Sequence, residues 1–305
     1  MQALRLGSYI GTGAQQSILS GPWQPDLVVV KSAEADAAVA RTSTMGLGNV
    51  GKAMAGAVAL VINLFVSLNP DGFTVGTRPQ INRLGTVYHY LACRAMARQL
   101  ALGSYVGNGG AQSITGLGIA PVYVWILPNS SQRAVHASST MGGRTFFFSA
   151  DAGATNRVTS FDADGFTVGS SGTVNASGST YHYVAWAAIP EQMGNGSYVG
   201  DGTDNRQITG VGFEPWLAIT VGASLNSVWK PRINNDPAVM GQNSKGFTTS
   251  ADGTNAIQAL EPDGFQVGDV AGGPNNNGAT IHWAAFRPGE SAVPPRRRRR
   301  GGRGG

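Results

Sequence analysis

One pattern is written three times along this chain, and it limits the fold more than any other feature. Gly7-Ser8-Tyr9-Ile10-Gly11 returns as Gly103-Ser104-Tyr105-Val106-Gly107 and as Gly196-Ser197-Tyr198-Val199-Gly200. Thr44-Met45-Gly46 returns as Thr140-Met141-Gly142 and Val239-Met240-Gly241. The stretch from Asp71 to Gly76, Asp-Gly-Phe-Thr-Val-Gly, returns at Asp164 to Gly169 and, with Gln266 for Thr, at Asp263 to Gly268. Tyr88-His89-Tyr90 returns as Tyr181-His182-Tyr183 and Ile281-His282-Trp283. The copies stand 93 to 100 residues apart, and the Asp-to-His spacing is 18, 18 and 19. Solenoid repeats run about 20–50 residues, so a period of this size is that of a whole small domain. The expectation is three tandem domains, 1–97, 98–192 and 193–290, followed by a tail, 291–305. The links around Arg98-Gln99 and Pro190-Glu191-Gln192 are short, so neighbouring domains should pack together or hold a fixed angle.

Within a copy the chemistry is that of strands. Leu27-Val28-Val29-Val30 and Val122-Tyr123-Val124-Trp125-Ile126 are short β-branched and aromatic runs between turn residues, and Thr180 to Trp186 reads the same way. Asp-Gly before Phe-x-Val-Gly is a hairpin-type turn signal. Glycine contributes 44 of 305 residues, which argues against a helix-rich fold, because glycine is poor in helix interiors and good in turns. Lys52 to Phe65 has some helical character. It aligns with Thr145 to Val158, where Phe146-Phe147-Phe148, Gly153 and Asn156 are strand and turn chemistry, so both read as strands. The fold class expected is all-β: three tandem antiparallel β-sandwich, jelly-roll-like domains with a basic C-terminal tail.

Charge is concentrated at one end. The formal net charge is +5, but six arginines, Arg296, Arg297, Arg298, Arg299, Arg300 and Arg303, lie in the last ten residues. Without them 16 Lys+Arg stand against 17 Asp+Glu, a body charge of −1. The tail can bind an acidic protein surface, or nucleic acid nonspecifically through counterion release. It carries no aromatics on which bases could stack. Cys93 is the sole cysteine, so neither an intrachain disulfide nor a multi-thiolate zinc site is available. The N-terminus lacks the apolar core of a signal peptide, and the longest apolar run, Ala53 to Val66, is too short to span a bilayer as a helix.

Few residues suggest catalysis. Gly46-Leu47-Gly48-Asn49-Val50-Gly51-Lys52-Ala53 approaches a phosphate-binding loop, but Ala53 stands where Ser or Thr must hold Mg²⁺, and the other copies lack the pattern. His89, His182 and His282 recur at one position, as either ligand contacts or packed side chains at the edge or end of a last strand. One imidazole per copy is too few for a metal centre without added ligands. Asp162-Ala163-Asp164-Gly165 reads as a β-turn rather than a calcium loop. No Ser, His and Asp set recurs, so no enzyme activity and no cofactor is expected. Most tryptophans fall on strands and belong to cores. Trp229, in the longer middle of copy three, is the aromatic expected at a binding surface.

The succession Gly-Ser-Tyr-x-Gly-x-Gly, Ile-Thr-Gly-x-Gly-Phe-x-Pro, Asp-Gly-Phe-x-Val-Gly and Tyr-His-Tyr resembles a repeat of bacteriophage tail-fibre and other virion structural proteins. It is clearest at Gly103 to Trp186 and at Ile208 to Pro215. Copy one departs from it at Leu19-Ser20-Gly21-Pro22-Trp23 and in the apolar stretch Ala53 to Val66, which suggests a subunit interface. The resemblance implies a non-enzymatic virion component, a tail-fibre or capsid-decorating protein made in the host cytoplasm. Its expected partners are other virion proteins and further copies of itself. A carbohydrate-binding adhesin recognising cell-surface glycan is the alternative, with nucleic-acid binding through the tail as a third. No membrane partner is expected.

Overall fold

The structure, a computed structural model, describes residues 3–46, 48–233 and 243–289. It is all-β, and every strand pairing is antiparallel. In the first third the strands are β1 (Ala3–Ile10), β2 (Gln16–Leu19), β3 (Leu27–Ser32), β4 (Val39–Thr42), β5 (Val50–Ala53), β6 (Val61–Ile62), β7 (Phe65–Asn69), β8 (Gly72–Val75) and β9 (Val87–Arg94). The second third holds β10 (Leu100–Val106), β11 (Gln112–Thr115), β12 (Pro121–Pro128), β13 (Val135–Ser138), β14 (Phe146–Phe147), β15 (Val158–Asp162), β16 (Gly165–Val168) and β17 (Thr180–Ala187). The last third holds β18 (Met193–Val199), β19 (Arg206–Thr209), β20 (Leu217–Gly222), β21 (Val228–Pro231), β22 (Asn243–Gly246), β23 (Gly253–Thr254), β24 (Ile257–Glu261), β25 (Gly264–Val267) and β26 (Thr280–Phe286). Among the described residues helix is confined to a 3₁₀ turn, Ser43–Met45, and two single turns, α1 (Pro79–Asn82) and α2 (Gly172–Asn175).

Each third builds the same two sheets. The larger runs β1-β9-β3-β4-β5-β6, then β10-β17-β12-β13-β14, then β18-β26-β20-β21-β22-β23. The smaller runs β2-β8-β7, β11-β16-β15 and β19-β25-β24. In unit 1, Val28, Val30 and Tyr90 of the large sheet meet Ile18, Phe73 and Val75 of the small one in a sandwich core, and the other units repeat this.

The repeated motifs are turn and packing devices. A Cβ on Gly103 would fall 2.2 Å from the Tyr183 hydroxyl oxygen, so that glycine lets the tyrosine ring lie flat across β10. Asp164 accepts backbone N–H bonds from Gly116 (3.0 Å) and Gly118 (2.6 Å), and Asp263 does the same for Gly210 and Gly212. The carboxylate therefore closes the Ile-Thr-Gly-x-Gly loop. A buried asparagine, Asn82, Asn175 or Asn275, bonds the backbone of the first loop of its unit.

The large sheets are buried on both faces, which explains why their central strands are continuous apolar runs instead of alternating ones. In β3, Val28 and Val30 face the sandwich, while Leu27 and Val29 face away into a second core. That second core takes Leu91 and Cys93 from unit 1, Tyr123, Trp125 and Trp186 from unit 2, and Leu217, Trp229 and Phe286 from unit 3. The three sandwiches are thus fused through one common interior.

The stretch from Lys52 to Phe65 is strand and loop, as its alignment with copy two implies. Lys52 is fully buried in β5, far from the geometry of a phosphate loop. Part of the apolar excess nearby is a contact inside the chain, while Val58 (43%) and Ile62 (60%) remain exposed. Met54 lies in the common core, Leu60 packs against it, and the Leu60 N–H donates to Asn129 O of unit 2 at 3.3 Å.

Candidate functional site

The junction of the three units is where the unusual side chains collect. Strand register makes Ala38, Ala134 and Ser227 equivalent, and likewise Met54, Phe148 and Phe247. Across the junction the Ala38 N–H donates to Phe247 O (3.0 Å), Ala134 N–H to Met54 O (3.2 Å) and Ser227 N–H to Phe148 O (3.2 Å). Unit 1 thus bonds unit 3, unit 3 bonds unit 2, and unit 2 bonds unit 1. The ring is closed, and the units sit about a quasi-threefold axis. On that axis Leu4, Cys93, Trp125, Trp186, Leu217 and Phe286 line a void of about 10 Å³, no larger than one water, so the axis is packed and not a channel.

The repeated histidines stand on this junction. In β9, β17 and β26 they share strand parity with Leu91, Val184 and Ala284, and so point out of their own sandwich toward the common core. These strands lie inside their sheets, not at an edge. His182 is 3% exposed. Its Nε2 donates to Asn129 Oδ1 at 2.8 Å, which leaves Nδ1 to accept the Thr44 hydroxyl of unit 1, also at 2.8 Å. Burial lowers its pKa to about 4. His89 is lowered to about 3 by burial, and further by Lys245 and Lys31. His282 is lowered by burial, with its ring 6.1 Å from that of Phe146 in unit 2. All three belong to the seams between units and present no open coordination or substrate face.

A fourth histidine stands outside the repeat, in copy two alone. His136 has no counterpart in the other copies, where Ala40 and Trp229 stand in its place. It is fully buried and stacks on Phe148 at 4.3 Å. It lies 2.8 Å from the Tyr123 hydroxyl and 3.0 Å from Ser227 Oγ of unit 3. Burial lowers its pKa to about 3.

Trp229 corrects an expectation. It is 1% exposed in the common core, 6.0 Å from Phe247, and offers no face to a ligand. The longer middle of copy three does not lift it to the surface, because the tryptophan itself is on β21, paired with Ile219. Trp125 and Trp186 are equally buried. The arginines Arg296, Arg297, Arg298, Arg299, Arg300 and Arg303 lie outside the described residues.

Buried cations brace two of the seams. Lys52 of unit 1 reaches into unit 2 and donates to Ser130 O (2.9 Å) and Gln132 O (2.6 Å), besides Val58 O in its own unit. Burial lowers it to about 8. Lys31 donates to Ser250 O of unit 3 at 2.7 Å, and Lys245 pairs with both oxygens of Asp252 at 2.7 Å. At one end of the axis the three units surround an open hollow of about 460 Å³. Its equivalent lining positions are Ala37, Arg133 and Asn226, and its one charged lining residue is Arg133. Among the described residues no group of three His, Cys, Asp or Glu is placed to hold a metal ion.

Residues 98–196 match a family described as a domain of unknown function (DUF7483). The match spans β10 to β17 and ends within β18. No curated protein and no solved structure matches the chain.

Proposed function

We propose that the protein is a non-enzymatic structural component of a bacteriophage particle, a tail-fibre or capsid-decorating protein, assembled as one pre-formed three-lobed block. The observation that supports this most is the closed ring of seams around a shared core. The conspicuous histidines, buried lysines and tryptophans are spent on holding three sandwiches together. A body with a charge of −1 favours close apposition to neighbouring subunits, and the six tail arginines supply a separate, electrostatic attachment to an acidic partner. The glycan alternative loses its best support, since its aromatic candidate Trp229 is buried.

The test is location. Particles purified from a lysate containing the chain are probed by immunogold electron microscopy, with a variant lacking residues 294–305 beside the full chain. Regular labelling of tail or capsid is expected. The truncated chain should dissociate at lower salt than the full one. A chain confined to the unsedimented fraction would overturn the proposal. Tail-dependent binding to bare DNA without particle association would favour the nucleic-acid reading.

A further inference from the structure

The three copies treat one internal position differently, and the difference outlines a ligand site. Register makes Ala53, Phe147 and Gly246 equivalent, since each is paired with a valine on the neighbouring strand: Val39, Val135 and Val228. Leu64, Arg157 and Ala256 are likewise equivalent, each preceding the residue paired with Val75, Val168 or Val267. In unit 2 the place is full. The Arg157 guanidinium lies 3.9 Å from the Phe147 ring centre and pairs with Asp151 at 2.8 Å, while Arg133 lies 4.9 Å from the same ring. In unit 1 the place is filled by Leu64, 1% exposed, with Val61 packed against the same core.

In unit 3 every one of these groups is cut back together. Phe147 becomes Gly246, Arg157 becomes Ala256, Asp151 becomes Ser250 and Arg133 becomes Asn226. What remains is a pocket of about 170 Å³ with Ser244, Gly246 and Ala256 on its buried floor and Ala251, Gly253 and Gly272 on its exposed rim. The pocket opens to solvent along this rim, and its volume is comparable to that of a core cavity of about 150 Å³, which is large enough to bind benzene. The cation and its carboxylate vanish as a pair, so the pocket keeps neither an unmatched charge nor a reason to take an ion. Truncating packed side chains costs stability unless something else supplies the contacts.

We propose that unit 3 binds a benzene-sized neutral aromatic molecule in this pocket, its ring taking the place that the Phe147 ring holds in unit 2. The methyl groups of Ala256 and Val228 and the glycine backbone supply the apolar floor. The hydroxyls of Ser250 and Thr254 stand nearby to meet a polar substituent. The site does not depend on where the protein resides.

Benzyl alcohol is the probe, titrated into the full-length chain and followed by two-dimensional NMR and calorimetry. Saturable binding is expected, with shifts concentrated in residues 244–256 and 270–273. Ala256→Leu installs the unit 1 filler and should weaken binding at least tenfold. The triple variant Gly246→Phe, Ser250→Asp, Ala256→Arg installs three of the four unit 2 groups and should abolish it. The Ser250 exchange matters because a Cβ on Gly246 would lie 2.5 Å from Ser250 Oγ. Absence of saturable binding to the wild-type chain, or shifts centred elsewhere, overturns the proposal whether or not the variants fold. Undiminished binding in a folded variant also overturns it.

Discussion

Acidification should open this protein at its seams. His89, His136 and His182 are 0%, 0% and 3% exposed and are held neutral, with pKa values lowered to about 3, 3 and 4. The groups facing them are Lys31 and Lys245 for His89, His282 for His136, and only neutral partners, Thr44 and Asn129, for His182. A base whose folded pKa lies below its unfolded value contributes stability that is whole above about pH 6.5. That contribution is lost progressively as pH falls toward the folded value. At pH 5, about 1.5 pH units below the ordinary imidazole value, each of the three forfeits about 2 kcal/mol, or about 6 kcal/mol together. A typical domain has only about 5–15 kcal/mol to lose. Asp252, which burial raises, works in the opposite direction and offsets part of the loss. Lys31, Lys52 and Lys230 titrate near 8 and stay charged throughout the window. Urea unfolding followed by tryptophan fluorescence reads the right place, because Trp125, Trp186 and Trp229 all lie in the common core. The unfolding free energy should fall by several kcal/mol between pH 7 and pH 5, and His136→Gln should remove about a third of that slope. Equal free energies at the two pH values, within about 1 kcal/mol, would refute the reasoning.

Three further outcomes follow from single contacts. Lys52→Met leaves Ser130 O and Gln132 O without their donor across the first seam and should cost about 3 kcal/mol, measured by urea titration. Gly165→Ala should destabilise by more than about 2 kcal/mol in the same assay, because its Cβ would sit 1.9 Å from Ile114 O at a φ of +154°. Burial pushes the Cys93 thiol well above its usual range, so a thiol-reactive dye should label it at the rate of unfolding and not before.

The sequence carried the repeat, the strands and the turns because those depend on local chemistry. Asp-Gly-Phe announces a turn whether or not Asp164 also caps a distant loop. The common core was written there too, in a form easy to misread. Leu27-Val28-Val29-Val30 is apolar at every position, which means both faces of the strand are covered, and one sandwich can cover only one face. His89, His182 and His282 alternate with residues that enter the sandwich, so their parity already sends them outward to the junction. His136 and Trp229 could not be placed in this way. His136 meets Ser227 of unit 3, and Trp229 packs with Phe247 of its own unit inside the core that all three units share, and no local pattern encodes either placement. The Arg157–Phe147 stack needed the same three-dimensional register before its loss in unit 3 could be seen.

The seams are equivalent in backbone and different in side chains, and that difference bears on why one chain carries three units. Lys52, Phe146 and Lys245 occupy one position in the repeat. The first spans to unit 2 carbonyls, the second sets its ring beside His282, and the third pairs with Asp252 near Lys31 of unit 1. Three identical copies of unit 2 would place Phe146 at every seam and no lysine to meet the carbonyls of Ser130 and Gln132. Three copies of unit 1 would bury three Lys52 and three Lys31 side chains, with no Asp252 carboxylate near any Lys31. Each seam is therefore matched only to its own neighbours, and a buried polar group without its partner is costly. Covalent linkage guarantees that each unit meets the right two faces, so the ring can afford chemistry that a homotrimer of any one unit could not satisfy.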